Sequence, residues 1–352
     1  MENTSAPILV TGATGYIAGW VIKQLLEQGH HIHATVRDLT KKTGFKHLED
    51  IATSSSGTLK LFEANLLNEA SFDEAMQGCE IVIHMASPFL LTKFKNAITD
   101  LIDPALKGTE NVLNSVNRTN TVKRVVLTSS IASTYGDAID ILETQNLCFD
   151  ETHWNTTSSE THRPYPYSKV VAERKAWEMQ KAQSRWDLVC INPALVVGPS
   201  LTPHTNSGSI EVIEQFGNGS TLFGVPPMWN GLVDVRDVAQ AHIQAALNPS
   251  ANGRYIINDK TLTLLEMGKV LKRHFGGRYP FPRTIAPKFM FNLIAPLMGY
   301  TRQFVKLNVG YPIYFNSERS KQDLGIEYRN VETSIVEHFQ QLIDDGIIKK
   351  RG

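Results

Sequence analysis

Cysteine is scarce: Cys79, Cys148 and Cys190 are the only three in 352 residues, far apart and without a C-x-x-C pair. That argues against a disulfide scaffold or a thiolate zinc site and suits a reducing compartment. Neither sign of charge is in excess, with 35 Lys plus Arg against 35 Asp plus Glu, so the chain as a whole has no basic field for nucleic acid or an anionic membrane. No apolar run approaches the ~20 residues of a membrane-spanning helix, and residues 1–7 lack the apolar core of a secretory signal. No G-x-S-x-G elbow supports a serine hydrolase. His30, His31 and His33 have no acidic or cysteine partner nearby, so they read as a solvated strand edge, and no metal is expected. The expected setting is cytoplasmic, with a small molecule as partner rather than nucleic acid or membrane, and a monomer or homodimer as the assembly.

What the chain does have is alternation. Short β-branched runs at 8–11, 32–36, 81–85, 124–129 and 187–191 are separated by amphipathic segments at 19–28, 72–76, 104–117 and 168–184. This order predicts an α/β fold, a doubly wound parallel sheet of Rossmann type. From about Pro199 the texture turns irregular and Pro/Gly-punctuated, as in Val225-Pro-Pro-Met-Trp-Asn-Gly231. Residues 1–198 are therefore expected to form a dinucleotide-binding domain and 199–352 mainly a smaller, substrate-binding lobe, with 231–247 returning to the first domain.

The first strand runs into Thr11-Gly-Ala-Thr-Gly-Tyr-Ile-Ala18, a glycine-rich turn opening a helix. Gly12, Thr14 and Gly15 would let backbone approach a pyrophosphate, and the helix start offers free N–H groups and a positive dipole end. The second strand ends in Arg37-Asp38, where a dinucleotide fold meets the adenosine ribose. A guanidinium there suits the 2′-phosphate of NADP, with Lys41 and Lys42 close behind, while Asp38 leaves room for NAD. After the strand at 124–129, Thr128, Ser129 and Ser130 place hydroxyls where ligands bind such sheets. Tyr165 and Lys169, four apart at a helix start, share a face. A nearby ammonium lowers a phenol's pKa, so Tyr165 would protonate a carbonyl oxygen as hydride arrives, Ser130 would hydrogen-bond that oxygen, and Lys169 would also reach the nicotinamide ribose.

Together these motifs resemble the extended short-chain dehydrogenase/reductase superfamily, and more narrowly its dihydroflavonol-reductase-like branch. Supporting segments include Ala34-Thr-Val-Arg-Asp38, His84-Met-Ala-Ser-Pro88, Val126-Leu-Thr-Ser-Ser130 and Asn192-Pro-Ala-Leu-Val-Val-Gly-Pro199. The resemblance implies that Gly12, Gly15, Tyr16 and Ile17 line the pyrophosphate and Arg37 the 2′-phosphate. It further implies Asn65 and Leu66 at adenine, Met85, Ala86 and Ser87 at the nearer ribose and diphosphate, and Pro193, Ala194, Leu195 and Val196 at nicotinamide. Ser130, Tyr165 and Lys169 would be catalytic, with Asn111 holding a relay water for the lysine. Gly44 stands where plant members carry a second phosphate-binding lysine, so Lys41 or Lys42 would take over. Phe89, Tyr135, His204 and Met228 are candidates for substrate contact.

The expected function is NADPH-dependent reduction of an aldehyde or ketone to an alcohol. Alternatives using the same parts are an NAD-dependent sugar-nucleotide epimerase or dehydratase, a hydroxysteroid dehydrogenase, and a non-catalytic NADP sensor.

Overall fold

Along the first strand, β1 (Ile8–Thr11), Ile8 and Val10 pack into one core while Leu9 packs into another. A strand buried on both faces reads as a continuous apolar run, and such strands belong to parallel sheets with helices on either side. The computed structural model describes residues 6–87, 95–203, 207–222 and 224–351. Its main sheet contains β1, β2 (His31–Val36), β3 (Thr58–Glu63), β4 (Ile81–His84), β5 (Arg124–Thr128), β6 (Asp187–Pro193) and β9 (Gly253–Ile257). The order is β3-β2-β1-β4-β5-β6-β9, every pair parallel, so the sheet is doubly wound as expected.

Helices α1 (Tyr16–Glu27) and α7 (Val235–Leu247) pack together over one face of the sheet, with α2 (Lys46–Thr53) beside α1. On the other face lie α3 (Asp73–Met76), α4 (Asp103–Arg118) and α5 (Pro164–Lys181), closing a core around Phe72, Val112, Leu113 and Trp186. A second sheet has the order β10-β8-β7, from β7 (Leu195–Val197), β8 (Trp229–Asp234) and β10 (Lys260–Thr263). It packs with α6 (Gly208–Asn218), α8 (Leu264–Phe275) and α12 (Val331–Asp344) around Phe216, Phe275 and Phe339. Helices α9 (Lys288–Ile294) and α10 (Arg302–Asn308) share a small core of their own, and α11 (Glu318–Leu324) lies against β9.

The helix expected at 168–184 starts four residues earlier, because Pro164 takes the first helical position, where its missing N–H and fixed φ cost nothing. Strand β3 has no counterpart among the expected elements. It is a sheet edge with Thr58, Lys60 and Glu63 exposed, so its apolar content is diluted. Among the described residues no helix is long and apolar enough to cross a membrane.

Candidate active site

The carboxyl ends of β1, β4 and β5 lie side by side, at the edge where a doubly wound sheet has its ligand cleft. Gly12 has φ +72°, and a Cβ there would lie 2.9 Å from the Ala86 Cα, so both the backbone angle and the approach of the β4 loop require glycine. Gly15 caps α1, donating its N–H to the Gly12 carbonyl at 2.9 Å. No side chain caps α1 and no acidic residue stands in its first turn, which leaves the first amides of the helix facing the turn. This is an open, amide-lined cradle of the kind that fits a pyrophosphate. Thr11 ties it to β4: its Oγ accepts from the amides of Met85 and Ala86, both at 3.0 Å, and donates to His84 Nδ1 at 2.9 Å. Desolvation, followed by the Lys169 charge, holds that imidazole neutral, its pKa pushed down to about 3.

Tyr16 departs from its expected place. Its ring turns into the protein against His338, with 5.9 Å between centroids, and its hydroxyl donates to the Gly198 carbonyl at 2.5 Å. Only its backbone amide is left for the turn; Ile17 packs partly against the same core.

At the end of β2, Arg37 is exposed and has no ion-pair partner among the described residues, whereas Asp38 is engaged. The Asp38 carboxylate accepts from the Thr40 amide at 2.9 Å and the Thr40 hydroxyl at 2.5 Å, and lies 3.4 Å from Lys41 Nζ. The Thr40 bonds, more than Lys41, hold it below its ordinary pKa. Lys42 is exposed in the turn Lys42–Gly44, and a Cβ on Gly44 would stand 3.8 Å from Thr14 Cγ2, against the glycine-rich turn.

Asn65 and Leu66 follow β3. The Asn65 side-chain oxygen accepts from the Leu67 amide at 3.0 Å, so it shapes its own loop, and Gly108 makes room for Leu66, whose Cβ would lie 3.2 Å from a Cβ there. Asn111 is drawn to this loop rather than to the lysine: its amide donates to the Leu66 carbonyl at 2.7 Å.

The structure brings Ser130, Tyr165 and Lys169 together. Ser130 follows β5, its Oγ accepting from the Ala132 amide at 3.1 Å, and it shares a hydrogen bond with the Tyr165 hydroxyl. Lys169 Nζ donates to Ser87 Oγ at 3.1 Å and sits 5.7 Å from the Tyr165 ring centroid. The expectation that Lys169 lowers the tyrosine pKa is corrected here. Burial dominates both groups, pushing Tyr165 up to about 12 against the pull of Ser130 and Lys169 down to about 8. The resting phenol is a held proton, not a phenolate.

The neighbouring hydroxyls do not reach the cleft. Thr128 donates to His242 Nε2 at 2.7 Å, on the α7 face, and Ser129 donates to Glu173 Oε2 at 2.5 Å, on the α5 face. Residue alternation along β5 separates the two. Glu173 was not singled out from sequence, although it continues the four-residue spacing of Tyr165 and Lys169 along α5. Its buried carboxylate also accepts from Ser133 Oγ at 2.5 Å, Asn192 Nδ2 at 2.9 Å and Arg254 Nε at 2.6 Å. Ser133 and Asn192 in turn bond the Ser130 carbonyl, at 2.8 and 3.2 Å. The catalytic serine candidate is thus mounted on a buried ionic network.

Pro193 ends β6 and Ala194 donates to the Ile257 carbonyl at 3.0 Å, while Leu195 and Val196 begin β7. Tyr135 is stacked on Phe149 at 5.0 Å, and Met228 packs on the core of α9 and α10. Phe89 and His204 lie outside the described residues. Among the described residues no group of His, Cys, Asp and Glu converges to hold a metal ion.

Known proteins resemble this chain over most of its length. The model of the NAD dependent epimerase/dehydratase family matches residues 8–258. A cinnamoyl-CoA reductase of Medicago truncatula is 36% identical over 344 residues, 97% of this chain and 97% of that protein. A dihydroflavonol 4-reductase of Gerbera hybrida is 33% identical over 276 residues, 77% of this chain and 73% of that one. The solved structure of Gre2 in complex with NADPH from Candida albicans superposes with a TM-score of 0.77 and 26% identity, over 97% of this chain and 99% of that one.

Proposed function

The chain belongs to the NAD dependent epimerase/dehydratase family, and from that membership we propose that it is an NADPH-dependent reductase converting an aldehyde or ketone to an alcohol. The observation that carries the reading is the Ser130–Tyr165 hydroxyl pair with Lys169 beside it, at the strand ends that also carry the glycine turn. Reductases among the relatives and the NADPH complex of a structural neighbour support it.

Gly12, Gly15 and the first amides of α1 would hold the pyrophosphate, Arg37 the 2′-phosphate, and Ser87 and Lys169 the nicotinamide side. The free guanidinium of Arg37 beside an engaged Asp38 favours NADP over NAD. When bound, NADPH supplies the hydride that reduces the carbonyl carbon. Ser130 donates a hydrogen bond to the carbonyl oxygen, and Tyr165 gives that oxygen its proton. A phenol held protonated is suited to the reducing direction. Lys169, as ammonium beside the Tyr165 ring, would hold the nicotinamide ribose in place for that transfer.

Tyr165→Phe tests the assignment, with nicotinamide absorbance followed across a panel of aldehydes and ketones. The expected result is a kcat lowered by about 10²–10⁴-fold, the range of general acid catalysis, with NADPH binding retained in a fluorescence titration. Unchanged turnover would remove Tyr165 from its role. A wild type that binds NADPH but turns over nothing on the panel would refute the reductase reading itself.

A further inference from the structure

Helix α9 wears its apolar residues on the outside. Phe289, Met290, Leu293 and Ile294, continued in the turn Ala295–Met298 by Leu297 and Met298, follow one another at i, i+1, i+4, i+5, i+8 and i+9 and so share one face. Their exposures are 68%, 50%, 69%, 47%, 90% and 54%. The opposite face, with Phe291 and Ala295, is already satisfied by Val305 and Val309 of the small α9–α10 core. A surface helix ordinarily turns its apolar stripe inward. A contiguous outward patch of six large apolar side chains marks a binding surface.

Charge indicates what the surface binds. Between residues 283 and 317 the chain has four lysines and arginines, Arg283, Lys288, Arg302 and Lys306, and no aspartate or glutamate, a local excess that the whole-chain balance hides. On either side of this segment in the sequence, Arg283, Arg302 and Lys306 are exposed and have no ion-pair partner among the described residues. Lys288 donates to the carbonyls of Lys306 and Val309, at 3.0 and 2.7 Å, which keeps its charge at the root of the helix. Large apolar side chains flanked by unopposed cations are the chemistry of a segment lying in the interface of an anionic bilayer. In a two-fold dimer the same cations would meet one another across the contact, which disfavours a second copy. The segment is far too short to span.

We propose that the outward face of α9 and the turn after it is a docking surface for anionic lipid bilayer, entering the headgroup region without crossing it. The test is flotation of the full-length protein with phosphatidylcholine vesicles, with and without roughly a third phosphatidylserine as the anionic lipid. Binding is expected on the anionic vesicles and weaker by about tenfold or more on the neutral ones, the scale that two or three cations near the surface supply. It should fall as salt shortens the screening length from ~10 Å at 0.1 M to ~3 Å at 1 M. Leu293→Asp with Leu297→Asp, and separately Arg302→Glu with Lys306→Glu, should each abolish flotation while melting like the wild type, since all four side chains are exposed. No flotation on anionic vesicles, or equal flotation on both kinds, overturns the proposal. So does a concentration-dependent dimer in sedimentation that the leucine pair of substitutions dissolves, which would make the face a subunit contact.

Discussion

Replacing Glu173 by alanine should damage both stability and turnover, and the structure says in what proportion. The carboxylate is 1% exposed and receives Ser129 Oγ, Ser133 Oγ, Asn192 Nδ2 and Arg254 Nε at 2.5, 2.5, 2.9 and 2.6 Å. Breaking a buried ion pair from one side ordinarily costs about 3–5 kcal/mol, because the partner charge stays buried. Arg254 is not left bare: it keeps the carbonyls of Glu151 and His153 at 2.9 and 2.6 Å, and stacks 4.0 Å from the Trp154 ring centroid. The loss therefore belongs near the lower end, about 3 kcal/mol. Urea denaturation measures it directly. Glu173→Ala with Arg254→Met removes the buried charge on both sides, so it should recover part of the loss. Kinetics supplies a second readout. Ser133 and Asn192 connect the carboxylate to the Ser130 backbone, and displacing a catalytic group by ~1 Å costs on the order of 10²-fold in rate. In the fraction still folded, kcat should fall while the KM for NADPH stays near wild type, since the glycine turn is untouched. A Glu173→Ala protein that unfolds within about 1 kcal/mol of wild type and turns over normally would show that the buried carboxylate neither stabilises the fold nor positions Ser130.

Two further outcomes are expected. Arg37→Ala should raise the KM for NADPH by about 10–100-fold, the equivalent of one charge-assisted hydrogen bond of ~1.5–3 kcal/mol, and leave the KM for NADH nearly unchanged; equal effects on both cofactors would remove the arginine from the 2′-phosphate. With Lys169 held down to about 8 and Tyr165 up to about 12, kcat/KM for NADPH in reduction should be level below pH 8 and fall above it as the ammonium is lost. Lys169→Arg, whose charge persists, should lose that inflection even if its rate is lower; the same inflection in the variant would assign it to another group. Because the folded pKa of Lys169 lies below its unfolded value of 10.5, burying the ammonium costs stability in full below about pH 8, and that cost vanishes by about pH 10.5. Lys169→Met should accordingly stabilise the cofactor-free protein at neutral pH and lose that advantage toward pH 10.5.

What could be read from sequence was what repeats along the chain. Strands such as β1 and β5 are apolar on both faces, so a window of a few residues contains the signal, and the four-residue step from Tyr165 to Lys169 places both on one helix face without knowledge of the rest. The step continues to Glu173, but a glutamate on a helix reads as solvent-facing until its partners Ser129, Asn192 and Arg254 are known. Those come from the end of β5 and from β6 and β9, strands adjacent in the sheet and distant along the chain. The hydroxyl run Thr128-Ser129-Ser130 illustrates the limit from the other side. Alternation was already sufficient to send Thr128 and Ser129 to opposite faces. Only the point where β5 ends decides that Ser130 is the one released into the cleft, and that point is set by the turn Ile131–Ser133 and its bonds to Glu173 and Arg254. Composition has the same weakness in stronger form. A sum over the chain gives equal numbers of cations and anions, and so argues against any charged surface partner. Electrostatic attraction depends on where charges lie within a screening length of ~8–10 Å, and residues 283–317 contain four cations and no carboxylate in the same stretch as the exposed apolar face. Neutrality of the whole is compatible with a strongly one-sided part, and the part is what a membrane would meet.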